Sequence, residues 1–508
     1  MNPVRLNGNR LSLEELHQVV YDRRPVLLEA EAREKVTAAR DVVEALVREN
    51  RLAYAITTGV GKLSDVRIDA TQNRQLQINL IRSHSEGVGE PLSQEETRAM
   101  MLLRANSLAK GCSGVRHDVI DLLCEMLNRG VHPIVPSQGS VGASGDLAPL
   151  AHLALAMIGE GEVIFDNARM PAADALKRAQ VKPLVPEAKE AISLINGTQA
   201  MLGVGTLALL AAEDLAESAD VIGAMTLDAL HGTDVAFDER IHAARPHAGQ
   251  VLVAANMRRL IKGSEIRESH KDCGRVQDAY SLRCIPQVHG AVRDTLDFCR
   301  RTFEIEMKSA VDNPLVFVTG EDQGDVISGG NFHGEPLAFA LDYLAIALSA
   351  LAGISERRIE RLVNPALNEG LPPFLAPDAG LNSGFMMPQV TAAALASENK
   401  VLAHPASVDS ITTSGNKEDY VSMGMTAAIK LKKVVANTTN VLAIEACAAA
   451  QALDFLAPLK TSPVLQKAHA ALRKVSPRID HDRVLAGDFR AIANLLLQGA
   501  LIRETESN

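Results

Sequence analysis

The sequence predicts a mainly α-helical protein built around a bundle of long helices. Of its 508 residues, 47% are hydrophobic but only 3% are aromatic, and tryptophan is absent. A core of this composition is filled by Ala, Leu, Val and Ile, a mixture that favours packed helices. Segments rich in Ala and Leu with a helical period, several of them longer than an ordinary globular helix, span residues 189–230, 276–310, 335–364, 385–402 and 418–454.

The same pattern divides the chain into two regions. Residues 1–200 alternate short helical stretches with glycine-rich turns, which predicts a loop-rich N-terminal region. Residues 201–508 hold the long-helix bundle and a helical C-terminal region. Helices that stay apolar on more than one face need cover on more than one side, so we expect copies of this chain to associate around the bundle.

Charge and composition restrict the partners and the location. The net charge is −10, and no basic block is interleaved with aromatic residues, so nucleic acid is not an expected partner. The N-terminus lacks an apolar secretory segment, and Asp342 interrupts the apolar stretch 337–351, so no membrane span is expected. Six scattered cysteines form no CxxC pair. Together these features predict reduced thiols in a cytoplasmic protein with a small-molecule substrate.

The segment Gly-Ser-Val-Gly-Ala-Ser-Gly-Asp-Leu-Ala-Pro-Leu at 139–150 contains the most reactive pattern. If the amide nitrogen of Gly145 attacks the carbonyl carbon of Ala143 and Ser144 loses its hydroxyl, the product is a five-membered methylidene-imidazolone ring. The exposed CH2 of this ring is an electrophile that no ordinary side chain provides. Glycine suits the reaction because it offers an unhindered amide and the backbone freedom of a compressed loop.

An unmodified turn before a helix is the alternative interpretation of this segment. In either case we expect Asp146 to cap a helix that begins at Leu147, with Pro149 in its first turn. A serine hydrolase elbow does not fit, because that motif places one residue between its serine and the following glycine.

Seven further segments accompany this loop in the order of a known family. They are LLRANSL at 102–108, INGTQA at 195–200, VQDAYSLRC at 276–284, DNPL at 312–315, SGGNFH at 328–333, SENK at 397–400 and EDYVSM at 418–423. With them, nearly the whole chain resembles the aromatic amino acid ammonia-lyases, most closely those that act on histidine. The resemblance implies a fold of the fumarase and aspartase type and a homotetramer whose active sites draw residues from different subunits. It also implies that the prosthetic group is 4-methylidene-imidazole-5-one (MIO), formed autocatalytically from residues 143–145. No metal or nucleotide cofactor is expected.

The reaction implied by this resemblance is the elimination of ammonia from an aromatic amino acid. The electrophile derived from Ser144 would capture the amine, and attack by the aromatic ring is the alternative. Tyr54 aligns with the catalytic tyrosine of the family, where a phenolate can remove the β-proton. A half-buried tyrosine that anchors a turn is the other interpretation of Tyr54.

The resemblance also implies residues that bind the substrate. Arg283 matches the position that holds the carboxylate through a bidentate contact, although an arginine on a helix is commonly an ion-paired surface residue. Tyr280 is expected to position the amine or the ring. Asn196 and Gln277 are expected to supply hydrogen bonds to the carboxylate or to the imidazolone oxygen, and Phe332 to pack against the new ring.

Two residues address the choice of substrate. An imidazole is polar at both ring nitrogens, so its pocket needs hydrogen-bond partners, whereas a phenyl pocket should be apolar. His84 and Glu418 match the positions that serve the imidazole, and Glu418 discriminates better because a carboxylate has little reason to line a phenyl pocket. An ion pair with Lys417 is the alternative role of Glu418. The favoured reaction is non-oxidative deamination of L-histidine to trans-urocanate and ammonia.

Three residues depart from the histidine-specific pattern. Thr57 replaces the usual Asn, and Lys417 and Tyr420 replace the Gln and His that flank the glutamate. Thr57 and residues 82–85 also resemble bacterial tyrosine aminomutases, which use the same ring but add ammonia back at the β-carbon. Tyrosine or phenylalanine ammonia-lyase and tyrosine 2,3-aminomutase are therefore the alternative functions.

Two classes outside the family are disfavoured. A metal enzyme built on His270, Cys273 and Cys284 lacks both an HExxH helix and paired CxxC spacing. A non-catalytic helical scaffold would leave residues 143–145 uncyclised.

Overall fold

The structure is a computed structural model that describes residues 1–271 and 273–506. It is 59% helix and 8% strand, with several long helices, which confirms the predicted mainly α-helical fold. The helices are α1 Leu13–Val20, α2 Ala30–Arg48, α3 Asn73–His84, α4 Gln94–Leu108, α5 His117–Arg129, α6 Leu147–Met157, α7 Ala172–Arg178, α8 Glu190–Ile195, α9 Gln199–Ala229, α10 Glu239–Ala243, α11 Ala248–Ile261, α12 Glu265–Ser269, α13 Tyr280–Arg283, α14 Ile285–Glu306, α15 Glu335–Val363, α16 Met386–Leu402, α17 Gly424–Phe455, α18 Pro463–Val475, α19 Ala486–Leu497 and α20 Ala500–Glu506.

Short strands form four small sheets among the described residues. The strands are β1 Val4–Leu6, β2 Val26–Leu28, β3 Val88–Pro91, β4 His132–Pro133, β5 Pro136–Gln138, β6 Glu162–Phe165, β7 Ala168–Pro171, β8 Leu315–Gly320 and β9 Gln323–Ile327. β1 and β2 pair in parallel, whereas β3 with β5, β4 with β6, β6 with β7, and β8 with β9 pair antiparallel. The β8–β9 hairpin pairs Val316 with Val326.

The chain forms two compact units. The first unit comprises Met1–Leu207, Arg300–Asp342 and Pro405–Ile429. The second comprises Ala208–Cys299, Tyr343–His404 and the described chain from Lys430 onward. The division of the sequence into regions 1–200 and 201–508 stays a prediction.

The observed helices follow the predicted long segments, with informative breaks. α15 and α16 span almost the whole of segments 335–364 and 385–402. Segment 189–230 is broken at 196–198, between α8 and α9. Segment 418–454 becomes helical only at Gly424, because Glu418 pairs in an extended bridge with Thr413 and Met423 has a positive φ of 57°. Both breaks lie at residues that the sequence predicts to be functional.

Helix α4 shows how buried charge positions the first unit. Arg104 on this helix is fully buried and donates hydrogen bonds to Asn196 O at 3.0 Å, to Gln199 Oε1 at 2.8 Å and to Ser193 O. Burial lowers the pKa of Arg104 to about 10, so its guanidinium stays charged at neutral pH. One arginine thus holds the end of α8, the break and the start of α9 together.

The second unit buries a separate charged network. Glu445 accepts a bidentate ion pair from Arg358 at 2.5 and 2.9 Å, and also accepts the hydroxyls of Thr226 and Ser355. All of these side chains are almost fully buried. Because each carboxylate oxygen has an ionic or hydroxyl donor, the charge is compensated inside the unit.

Two helices, α9 and α15, have the length and apolar composition of membrane spans. However, 72% and 61% of their most apolar stretches are buried inside the protein. Buried core helices of soluble proteins share this length and composition.

We predict that His132 makes the first unit sensitive to acid. His132 is buried, and its Nε2 accepts hydrogen bonds from Arg98 at 3.0 Å and Arg23 at 3.1 Å. Burial and these two cations lower the pKa of His132 to about 3. Because the unfolded chain binds this proton near pH 6.5, stability is lost as the pH falls from about 6.5 towards 3, by at most about 5 kcal/mol.

The measurement is the thermal unfolding midpoint of wild type and His132→Gln across this pH range. Glutamine keeps an acceptor for the arginines but does not titrate, so the variant should show a flatter pH dependence. His481→Gln serves as the matched control at an exposed histidine. Equal pH dependence in wild type and His132→Gln would contradict the prediction.

Candidate active site

The reactive loop lies between β5 and α6 in a constrained conformation. Gly142 and Gly145 both have a φ of +71°, a region that favours glycine. Ala143, between them in sequence, is buried against Val421 and Met423. The Met423 N–H donates to Val141 O at 2.9 Å, so the stretch before α17 holds the first half of the loop.

A close approach of two backbone segments holds the second half of the loop. The Asp146 N–H donates to Gly197 O at 2.7 Å, and Gly145 and Gly197 form a parallel bridge. A β-carbon on Gly145 would overlap the Gly197 carbonyl, so only glycine fits. Among the described residues the Gly145 N–H donates to no acceptor, which leaves this nitrogen unengaged beside Ala143 and Ser144.

Helix α6 begins at Leu147, as predicted, but the predicted cap by Asp146 is wrong. The Asp146 side chain makes no capping hydrogen bond to α6. It accepts instead from the Met201 N–H at 2.8 Å, at the start of α9, and from the Ser140 hydroxyl at 2.8 Å. The free amides of the first turn of α9 attract the carboxylate away from its own helix. Burial raises the pKa of Asp146 to about 6.

The loop forms part of the wall of a cavity of about 360 Å³ in the first unit. Five of the predicted site residues line it together: Tyr54, Ala143, Ser144, Phe332 and Glu418. Further polar or aromatic side chains complete the wall, among them Asn313, Ser328, His333, Ser414, Lys417 and Tyr420. The rings of His333 and Tyr420 are stacked, with centroids 6.1 Å apart.

Glu418 contacts the reactive loop directly. The Ser144 hydroxyl donates to Glu418 Oε1 at 2.6 Å, and the hydroxyls of Thr413 and Ser414 donate to Oε2 at 2.6 and 2.8 Å. Burial alone would raise the pKa of Glu418, but these three donors and nearby His84 outweigh it, and the pKa lies below its usual value. Glu418 is therefore an anion in the wall of the cavity. Among the described residues, no ion pair joins it to Lys417.

Tyr54 lies in a turn and lines the same cavity as Glu418. Its phenol oxygen accepts a hydrogen bond from the Gly61 N–H at 3.0 Å. Thr57 is buried and supports the turn, because its hydroxyl donates to Arg51 O at 2.7 Å and accepts from the Ala53 N–H at 3.0 Å. The departure at Thr57 therefore concerns the support of Tyr54, whereas Lys417 and Tyr420 line the cavity itself.

Asn196 lies behind the loop, at the break between α8 and α9. Its side-chain Nδ2 donates to Ser144 O at 2.8 Å. Its Oδ1 is buried and has no hydrogen-bond partner among the described residues. A buried amide oxygen without a donor is costly, so Asn196 Oδ1 is suited to accept a hydrogen bond from a bound polar group.

His84 ends α3 and does not line the cavity. Its Nδ1 donates to Leu80 O at 2.9 Å, so its Nε2 carries the lone pair in the neutral ring. Burial lowers the pKa of His84, against the opposing effect of the Glu418 charge, and the ring is neutral at pH 7.

The remaining predicted residues, Gln277, Tyr280 and Arg283, lie in the second unit. Gln277 and Arg283 line a separate cavity of that unit, of about 350 Å³. The Arg283 guanidinium lies over the Tyr280 ring, 4.6 Å from its centroid, and Tyr280 is 71% exposed. These three side chains therefore form a cluster of their own at an accessible surface.

The residues that sequence reasoning missed are the small polar ones that hold the others. Ser140 binds Asp146, Thr413 and Ser414 bind Glu418, and Ser422 donates to Gly142 O at 3.0 Å. The turn 413–416 is rich in small residues, which hinted at Thr413 and Ser414. Ser422 gives no such signal, because its partner is a backbone carbonyl 280 residues earlier. Ser140 gives none either, because its partner Asp146 is expected from the sequence to cap α6.

One group of candidate metal ligands occurs among the described residues, at His117, Asp118 and Asp121 on α5. Arg33 already forms a bidentate ion pair with Asp121 at 2.7 and 2.8 Å. This group lies outside the lining of the cavity.

Comparison with known proteins agrees with the geometry. The family model "Aromatic amino acid lyase" matches residues 11–474. A histidine ammonia-lyase from Koribacter versatilis (strain Ellin345) is 70% identical over 510 aligned positions, covering 99% of each chain. The crystal structure of histidine ammonia-lyase from Trypanosoma cruzi aligns with a TM-score of 0.92 at 44% identity, covering 99% of this chain and 95% of that chain.

A solved tyrosine aminomutase from Streptomyces globisporus aligns equally well in shape. Its TM-score is 0.93 at 39% identity, covering 99% of this chain and 98% of that chain. The fold is thus shared by enzymes with different named substrates, and it confirms the predicted fold class. The full-length sequence match and the shared fold lead to one conclusion: this chain belongs to the aromatic amino acid lyase family.

Proposed function

We propose that this protein is a carbon–nitrogen lyase that converts L-histidine to trans-urocanate and ammonia without oxidation. The observation that carries this proposal is the 2.6 Å hydrogen bond from Ser144 to Glu418. It brings the residue expected to become the electrophile next to a carboxylate that can hold an imidazole N–H. The 70% identity to a protein named histidine ammonia-lyase supports the same substrate.

Residues 143–145 are proposed to form MIO. The geometry fits this group: the loop is compressed, Gly145 has room for no β-carbon, and its N–H has no acceptor among the described residues. Asn196 donates to the Ser144 carbonyl oxygen, which would be the ring oxygen, and can stabilise charge there. When formed, MIO supplies an electrophilic carbon that takes up the α-amine and makes it a better leaving group.

Tyr54 is proposed to remove the β-proton of the substrate. It shares the cavity lining with Ser144 and Glu418, so a substrate bound between them reaches all three. The phenol oxygen accepts a hydrogen bond from the Gly61 N–H at 3.0 Å, which holds the oxygen in a fixed direction.

Glu418 is proposed to bind the imidazole ring. Its charge is secured by three hydroxyl donors, and a substrate N–H can replace the Ser144 hydroxyl once that hydroxyl is lost. Phe332 provides an apolar surface beside the ring. His84, with Nδ1 engaged by Leu80, offers Nε2 as an acceptor near Glu418.

The carboxylate is proposed to be bound by Arg283, with Gln277 and Tyr280, from another copy of the chain. These residues lie in the second unit, and Tyr280 and its cation–π partner Arg283 form an accessible cluster. A homotetramer with shared active sites, as expected from the family resemblance, would bring this cluster to a cavity of a neighbouring chain. The proposed location of the protein is the cytoplasm.

The decisive assay follows urocanate absorbance during incubation of purified protein with L-histidine. L-tyrosine and L-phenylalanine are tested in parallel, with no metal added, and β-amino acid products are sought by mass spectrometry. We expect product from histidine alone, and none from Ser144→Ala, which should retain its assembly. Product from tyrosine or phenylalanine instead would contradict the proposed substrate and favour a lyase or aminomutase for those substrates.

Glu418→Gln should selectively weaken the reaction of histidine. Loss of a charge-assisted hydrogen bond of about 1.5–3 kcal/mol lowers kcat/KM for L-histidine by about 10- to 150-fold. Asp419→Asn is the matched control, because Asp419 is an exposed carboxylate of the same cavity. Intact mass of both variants verifies that MIO is present. Equal losses in the two variants would argue against a specific role for Glu418.

Sharing of sites between chains is tested by mixing two inactive variants. Tyr54→Phe and Arg283→Ala are each expected to lose activity, and their co-expression should restore about a quarter of the sites if each site combines two chains. Light scattering measures the expected tetramer in parallel. No recovery in mixed tetramers would show that one chain supplies both residues.

A further inference from the structure

The Gly142 carbonyl at the first end of the reactive loop is held by two donors. It accepts the Ser422 hydroxyl at 3.0 Å and the Gly334 N–H at 3.2 Å. Gly142 itself has a positive φ, and a β-carbon there would overlap Ser422 Oγ. Ser422 is fully buried. The carbonyl that immediately precedes Ala143 is therefore fixed in direction by side-chain and main-chain donors.

Met201 fills the space behind this carbonyl. A β-carbon on Gly334 would lie 2.7 Å from Met201 Sδ, and one on Gly424 would lie 2.5 Å from the same atom. Each distance is shorter than real contacts of a β-carbon, so a side chain at either glycine would displace the Met201 thioether. Met201 is completely buried. Its thioether thus packs closely against the backbone at Gly334 and Gly424.

The main chain of Met201 holds the opposite end of the loop. Its N–H donates to Asp146 Oδ2 at 2.8 Å, and Asp146 directly follows Gly145. One residue therefore touches both flanks of the tripeptide: the backbone of Met201 fixes the Asp146 side, and its side chain backs the Gly142 side. A residue in this arrangement sets the distance between the two ends of residues 143–145.

We propose that Met201 and Ser422 are positioning residues for the formation of MIO. They hold Gly142 against the loop so that Gly145 N is kept within reach of the carbonyl carbon of Ala143. This inference rests on the proposed function, because it concerns how the proposed prosthetic group arises. It assigns the residues a role in maturation and none in the turnover of substrate.

The chemistry that they assist is balanced within the chain. A bond forms between Gly145 N and the Ala143 carbonyl carbon, while the amide proton of Gly145 passes to the Ala143 oxygen. That oxygen leaves as water with the amide proton of Ser144, which creates a C=N bond. The Ser144 hydroxyl leaves as a second water with the α-proton, which creates the exposed C=CH2. No oxidant or external reactant is required.

The test measures maturation by intact mass, independently of activity. Full-length wild type, Ser422→Ala and Gly424→Ala are made by cell-free synthesis, and the mass of each chain is followed over time for the loss of two waters. Ser422→Ala removes one of two donors to Gly142 and should mature about two- to tenfold more slowly. Gly424→Ala places a β-carbon against the Met201 thioether, displaces it and should also slow the loss of the two waters.

A compensating pair separates positioning from general damage. Met201→Ala in the Gly424→Ala background removes the collision with Sδ and should restore part of the mass loss. Ser422→Thr keeps the hydroxyl and should mature faster than Ser422→Ala. Gly329→Ala is the control, because a β-carbon there meets nothing within 4 Å. Circular dichroism verifies that each variant is folded.

The outcomes distinguish this inference from the proposed function. A wild type that never loses two waters would overturn the proposed prosthetic group itself. A mature wild type together with folded Ser422→Ala and Gly424→Ala that mature at the wild-type rate would overturn only the role of Met201 and Ser422. If Gly424→Ala does not fold, the maturation rates of Ser422→Ala and Ser422→Thr are compared. Equal rates in these two variants would overturn the inference.

Discussion

The contact between Gly145 and Gly197 determines the arrangement of the whole candidate site. Two backbone segments approach so closely that neither glycine tolerates a β-carbon, since one on Gly145 would overlap a carbonyl and one on Gly197 would overlap the Arg104 guanidinium. The hydrogen bond from Asp146 to Gly197 O ties α6 to the start of α9. Backbone and side-chain hydrogen bonds therefore join the reactive loop, Asn196 and the first turn of α9, which suits a site that must hold reacting atoms in place.

Buried charged side chains also hold this region in place. Arg104 binds the carbonyls and side chain around the break between α8 and α9, and Lys189 forms a fully buried ion pair with Asp312 at 3.1 Å. Replacing such groups with apolar side chains could give equal stability, but would lose the directional contacts that fix Asn196. The charges in this region therefore serve geometry more than stability.

The sequence predicts the fold class, because helical periodicity encodes the long helices, and the family resemblance points to five residues that line one cavity: Tyr54, Ala143, Ser144, Phe332 and Glu418. The segments that form α15 and α16 are long and unbroken. The Gly, Ala and Ser residues of the loop 139–145 single it out as a candidate site. The sequence could not predict that Asp146 turns away from α6, because the competing amides belong to Met201, 55 residues further along. Nor could it predict Ser422, whose partner Gly142 is 280 residues earlier in the chain. Local patterns do not contain such long-range competition.

The sequence separation between these partners also determines when their contacts can form during synthesis. Ser144 meets Glu418 across 274 residues, and Gly142 meets Ser422 across 280. At synthesis rates of about 5–20 residues per second, the loop waits for its partners on the order of 15–60 s after it is translated. Under the proposed formation of MIO, Ser144 keeps its hydroxyl until these contacts exist. An electrophile that depends on them would then arise only in a completed fold, and unfinished polypeptides would not expose it to other nucleophiles in the cell.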